Sequence, residues 1–207
     1  MNADQLMQRA RILLGDKAGL KFSSEQLEAA LASVLAQVNS QVPHVVTLES
    51  VQPVVDQTLT LQCETMIRDV LQVECLDFQP ARRALFTYQE AGSTQVCLTE
   101  AWPSAQTTNW RIKLVTDHQL EGLDGALTST IPPSCELLLA YGLASRALQM
   151  RSVQLAESAN SLVSSQAGER QADDFETHFE ALLRAWQQSQ PVPMDALPQE
   201  GGWQDKF

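Results

Sequence analysis

The stretch that decides the fold reads IPPSCELLLAYGLASRALQMRSVQLAES over residues 131–158 and GERQADDFETHFEALLRAWQQ over residues 168–188. Pro132 and Pro133 stop any helix before them, and Ser134 is placed to cap the next one. Leu137, Tyr141, Ala144 and Leu148 then recur at three- and four-residue steps, with Leu138 and Ala147 widening the stripe and Arg146 and Arg151 off it. That spacing predicts an amphipathic helix over 135–158. In the second segment Phe175, Phe179, Leu182, Leu183 and Trp186 fall on one face. Glu169, Asp173, Asp174 and Glu176 load its first turns, where the helix dipole favours negative charge, and Arg184 sits near its end. A polar turn over 160–166 joins the two, so this part of the chain reads as a long helical pair.

Outward from that pair, the N-terminal segment repeats the theme. Leu6, Met7, Ala10, Leu13 and Leu14 are spaced for a helix over 3–14, and Gly15 to Gly19 form a turn. Ser23 and Gln26 make an S-x-x-Q capping box, with Phe22 and Leu27 placed for a hydrophobic staple across it. Leu27, Ala30, Leu31, Val34, Leu35 and Val38 share one face of the helix that follows, which ends before Pro43. From His44 the texture changes to short runs of β-formers interrupted by Pro53. Strands are expected at 58–61, 70–76, 85–88, 94–99 and 110–116, with a hairpin turn at 90–93 and a helical turn at 63–69. The last of these strands, WRIKLVT, alternates most cleanly. Residues 118–125 read as a short turn or helix. The fold class is therefore α+β and mainly helical. An N-terminal helix pair, an inserted small antiparallel strand region at about 45–117 and a long C-terminal helix pair form one domain over 1–190.

Composition narrows the function classes. The chain has 207 residues, 44% of them apolar, and a formal charge of −11. A nucleic-acid-binding surface needs clustered Lys and Arg, which this chain lacks, and the acidity equally disfavours an anionic membrane. No apolar run approaches the roughly 18 residues of a membrane-spanning helix. Residues 1–14 carry internal charges and no signal-peptide core, so the expectation is synthesis and folding in a cytoplasm. Cys63, Cys75, Cys97 and Cys135 lie far apart without a C-x-x-C pair, and read as free thiols of a reducing compartment rather than disulfides.

Chemistry-bearing patterns are sparse. His44, His118 and His178 are scattered and read as surface or edge histidines. The carboxylates Glu169, Asp173, Asp174, Glu176 and Glu180 have no E-x-x-H spacing beside them and read as a solvated helix face rather than metal ligands. Glu136 and Asp69 have no inferable partner. The nucleophile elbow, the phosphate-binding loop and the dinucleotide-binding turn are all missing. Gly142 reads as a site of close helix packing, and Arg82-Arg83, the adjacent basic pair, as a solvated loop. No catalytic, cofactor or metal residues are expected, and no enzymatic activity.

The segments LMQRARILLGDKAGLKFSSEQLEAALASVLAQVNSQVP, IPPSCELLLAYGLASRALQMRSVQLAES and GERQADDFETHFEALLRAW together resemble the head-to-tail adaptor (connector) proteins of tailed bacteriophages. The first is similar to that family's short helix followed by a capped second helix, and the others to its long helix begun at a proline and its charged returning helix. The likeness covers about half of the chain, by pattern, and leaves out the strand-rich middle. It implies a structural protein of the virion neck that forms a ring, of twelve copies in such adaptors. That ring binds the portal protein on one side and a tail or neck protein on the other. DNA passes through without being tightly bound.

Two further expectations follow. Residues 191–207 hold three prolines and two adjacent glycines, and Met194, Leu197, Trp203 and Phe207 punctuate them as separated apolar residues. They read as an extended arm that docks on a neighbouring protein, the portal under the resemblance, with Trp203 and Phe207 as anchors worth roughly 2 kcal/mol each. Leu155, Leu162 and Val163 sit near the polar turn of the helical pair and are candidates for a ring interface. The alternative is that they pack on the strand region of the same chain. Other function classes stay open: a cytosolic helical module that binds a protein partner as monomer or dimer, or an enzyme whose site is assembled between subunits.

Overall fold

A computed structural model describes residues 1–54, 58–61, 67–78, 81–84, 86–91, 93–99, 107–157 and 162–190. Four helices, α1 (Ala3–Leu13), α2 (Ser24–Gln41), α3 (Glu136–Glu157) and α4 (Leu162–Ser189), bracket seven strands. These are β1 (His44–Pro53), β2 (Thr58–Thr60), β3 (Ile67–Cys75), β4 (Arg82–Arg83), β5 (Phe86–Ala91), β6 (Ser93–Leu98) and β7 (Thr107–Thr116). The fold is α+β and mainly helical, with antiparallel sheets.

Local chemistry fixes the helix starts. The Ser23 hydroxyl accepts from the Gln26 N–H and the Gln26 side chain accepts from the Ser23 N–H, the reciprocal box expected of S-x-x-Q. Phe22 and Leu27 are both buried beside it. The sequence reading missed that α1 opens in the same way, through Asn2 and Gln5. Ser134 is not the cap of α3, because Pro133–Cys135 forms a 3-10 turn that runs into it.

α3 is the central helix of the body and packs against α1, α2 and α4. Leu138, Leu139, Leu143, Ala144, Ala147 and Leu148 are buried, so burial spreads over more than one face. This corrects the expected stripe. Leu137 is 44% exposed, and Tyr141 is half-buried at the flank, against Phe175. A helix enclosed by three neighbours carries apolar groups around much of its circumference, and a single stripe cannot be drawn on it. Leu182 of α4 likewise lies 37% exposed rather than on the buried face with Phe179, Leu183 and Trp186. α4 also starts earlier than expected, because nothing in residues 162–167 breaks a helix and Gly168 is tolerated inside one.

The strand region builds a separate core. One sheet has the order β1-β7-β3-β4 and the other β2-β6-β5. Leu59, Val73, Val96, Trp110, Ile112 and Leu114 are fully buried between them, and this cluster is distinct from the helical one. β5 and β6 form the expected hairpin, but Glu90, Ala91 and Ser93, expected in its turn, belong to the paired strands. Residues 67–69 belong to β3 rather than a helical turn, and Arg82-Arg83 form β4 rather than a loop. Residues 118–120 belong to no regular element and 121–125 form turns, with Gly122, Asp124 and Gly125 at positive φ.

Candidate interaction surfaces

Two polar assemblies hold the body together, and both were invisible in the sequence. The first closes the α1–α2 turn. The Asp16 carboxylate accepts backbone N–H groups of Leu20, Lys21 and Phe22 at 2.9–3.0 Å. Arg11, buried although charged, reaches the same carboxylate at 3.3 Å and donates to the Phe22 carbonyl at 2.8 Å. Burial by itself would raise the Asp16 pKa; the three N–H donors and Arg11 outweigh it and hold the carboxyl below its ordinary value. Gly19 sits at φ +67°, and a Cβ there would lie 2.9 Å from the Arg11 guanidinium. Residues 15–19 were read only as a turn, because the partner of Asp16 lies in the preceding helix.

The second assembly joins the helical body to the strand region. The Asn39 side chain of α2 makes a two-point contact with the backbone of His118, accepting its N–H at 2.7 Å and donating to its carbonyl at 3.2 Å. Arg68 of β3 pairs with Asp117 and donates to the Asn39 carbonyl at 3.0 Å. The His118 ring lies 4.9 Å from His44 at the start of β1 and 5.2 Å from Trp186 of α4. His118 is only 5% exposed, which corrects its reading as a surface histidine. Its Nε2 has no hydrogen-bond partner among the described residues. Burial, reinforced by the nearby His44 ring and opposed by Thr130, lowers its pKa to about 4. Histidines 44 and 118 are far apart in sequence, and the pairing of His44 with Thr116 brings them together.

The carboxylates of α4 are not a uniform solvated face. Glu176 is half-buried and accepts from Ser145 at 2.9 Å, with Arg146 at 3.5 Å. Glu136 has a partner after all, Arg9 at 2.7 Å, and Asp69 accepts the Val70 N–H. His178 is exposed, 5.2 Å from the Tyr141 ring. Among the described residues no group of His, Cys, Asp and Glu is arranged to hold a metal ion. Cys97 and Cys135 are free thiols.

Ile12 is 59% exposed and lines a shallow groove with Leu13, Leu137 and the Arg9–Glu136 pair. Leu155, proposed for a ring interface, is half-buried and lines a crevice with Leu14, Phe22 and Leu148 of the helical body. The side chains of Leu162 and Val163 lie outside the described residues. So do Met194, Leu197, Trp203 and Phe207 of the expected arm. The root of that arm is described: Trp186 is buried and Gln187 donates to Gln41, so α4 is held to its end beside the last turn of α2. No helix among the described residues is long and apolar enough to cross a membrane. Comparison with protein-family models finds no match, and comparison with curated proteins finds none either.

Proposed function

We propose that this chain is a structural adaptor of the virion neck in a tailed bacteriophage. It forms a ring below the portal, joins the capsid to the tail and continues the DNA channel. It carries no catalysis of its own. The observation that supports this reading is the helical body. A capped helix pair, α1 and α2, packs on a long helical pair begun at Pro132-Pro133, and that is the arrangement the resemblance implies. The strand region is inserted between the two pairs and adds a second core.

The partners in this reading are further copies of the chain, the portal protein and a tail-side neck protein. Residues 191–207 grip the portal, with Met194, Leu197, Trp203 and Phe207 as contacts. Prolines at 191, 193 and 198 limit the entropy lost when such an arm is ordered on its partner. The experiment is deletion of residues 191–207, followed by portal binding and particle completion. The full chain is expected to bind the portal and the truncated one to lose that binding. Unchanged affinity after truncation rules out the arm as anchor, and failure of the full chain to bind any portal or virion component favours a cytosolic interaction module.

A further inference from the structure

β1 is the longest strand with a free side. It spans ten residues, lies at the edge of its sheet, and has β7 as its only strand neighbour among the described residues. None of its outward-facing backbone groups is hydrogen-bonded among the described residues. Such an edge is a template for a further strand, and proteins that must stay apart blunt it with lysine, a mid-strand proline, a bulge or shortness. β1 has none of these. Its pairing with β7 runs unbroken from His44 to Pro53, whereas β3 is shifted twice against β7. It contains no Lys or Arg, and its proline is the last residue. Its one carboxylate, Glu49, is held by Arg111 at 2.9 and 3.1 Å. Val45 and Val51 stand 42% and 66% exposed. A crevice lined by Leu48 to Gln52 also reaches Thr60, Leu61 and Ile112 of β7.

We propose that β1 pairs antiparallel with β1 of a second copy of this chain, in a register centred on Leu48. In that register Val45 faces Val51 of the second copy twice, Thr47 faces Glu49, and Leu48 faces Leu48, so no carboxylate sits directly opposite another. Apolar and β-branched pairs of this kind are the stabilising unit of a sheet. Gln52, whose side-chain nitrogen is buried without a partner among the described residues, falls opposite His44 of the second copy. Length selects the occupant. Among the described residues the other edges are β2, β4 and β5, of three, two and six residues, and of these edges only a second β1 matches ten. Residues 191–198 are disfavoured as the added strand because Pro191, Pro193 and Pro198 cannot donate to a ladder, and Gly201-Gly202 weaken residues 199–207 as a strand. A two-fold contact closes on itself and cannot propagate a ring. The pair is therefore the state of the free chain, independent of the neck reading, and ring assembly requires it to open.

The test is the mass of the full chain in solution by light scattering at micromolar concentration. A mass twice the 22.8 kDa of one chain is expected, falling to one chain in the double variant V45K/V51K with its circular dichroism unchanged. The lysines sit on exposed positions and face each other across the proposed pair. A second variant, V45C/V51C, is oxidised and mapped by mass spectrometry. Positions 45 and 51 lie about 20 Å apart along one strand, too far for a disulfide within a chain, so a 45–51 link arises only between copies. A monomeric wild-type chain, a dimer or larger assembly unaffected by the lysines, or the lack of a 45–51 link overturns the proposal.

Discussion

Gly142 offers the sharpest test of how the helical body is packed. A Cβ at this position would lie 2.8 and 2.9 Å from two ring carbons of Phe179 and 3.0 Å from the Val34 side chain. Phe179 and Val34 are both fully buried, so neither can swing away. Gly142→Ala changes two things in opposite directions. Replacing a mid-helix glycine gains about 1 kcal/mol of helix propensity. Forcing a methyl group into a filled contact between α3, α4 and α2 costs roughly 1–3 kcal/mol. The balance is a destabilisation of about 1 kcal/mol. Phe179→Leu alone costs about 2 kcal/mol, less than removal of the whole side chain. The double variant should be more stable than the sum of the two by at least about 1 kcal/mol, because leucine leaves the space the methyl needs. Urea unfolding followed by far-ultraviolet circular dichroism measures all four corners of the cycle. A Gly142→Ala protein with a higher midpoint than wild type, or strict additivity in the double variant, refutes the close approach of α3 and α4.

Acid should loosen the joint between the helices and the sheets. His118 has a folded pKa near 4 against 6.5 for the ordinary side chain, so the unfolded state binds the proton first. Stability is full above pH 6.5 and falls as pH drops toward 4, by up to about 3 kcal/mol from this group; a His118→Phe variant whose stability declines as steeply in that window contradicts the assignment. Asp16→Asn removes the charge opposite buried Arg11, and should cost about 3 kcal/mol, read as a lowered melting temperature, while an unchanged melting temperature means the turn is held by something else. The isolated chain should not bind duplex DNA with submicromolar affinity at physiological salt, given a net charge of −11, and fluorescence anisotropy checks this directly.

The legible parts of the fold were those written in local pattern. The S-x-x-Q box, the Pro-Pro stop, the alternation of WRIKLVT and the β5–β6 hairpin each depend on a few neighbouring residues. The α4 residues Phe179, Leu183 and Trp186 followed from periodicity alone. What escaped were contacts made across long sequence distances. The Asn39–His118 contact spans 79 residues and the Arg9–Glu136 pair spans 127, so no window of sequence could show either. α3 misled for a related reason. Its neighbours on three sides bury positions that a two-sided helix would leave to solvent, and Leu137 looked like core while lying at its rim. The candidate surfaces divide in the same way. Arm residues stand out by composition, but the free edge of β1 exists only because strand order places it outermost.

The account stands or falls on where this chain sits in an assembled particle. Electron microscopy of tailed particles carrying it, with symmetry averaged about the DNA channel, should reveal an annular layer of twelve copies between portal and tail into which α1 to α4 fit. Particles whose neck contains no ring of this chain contradict the central claim.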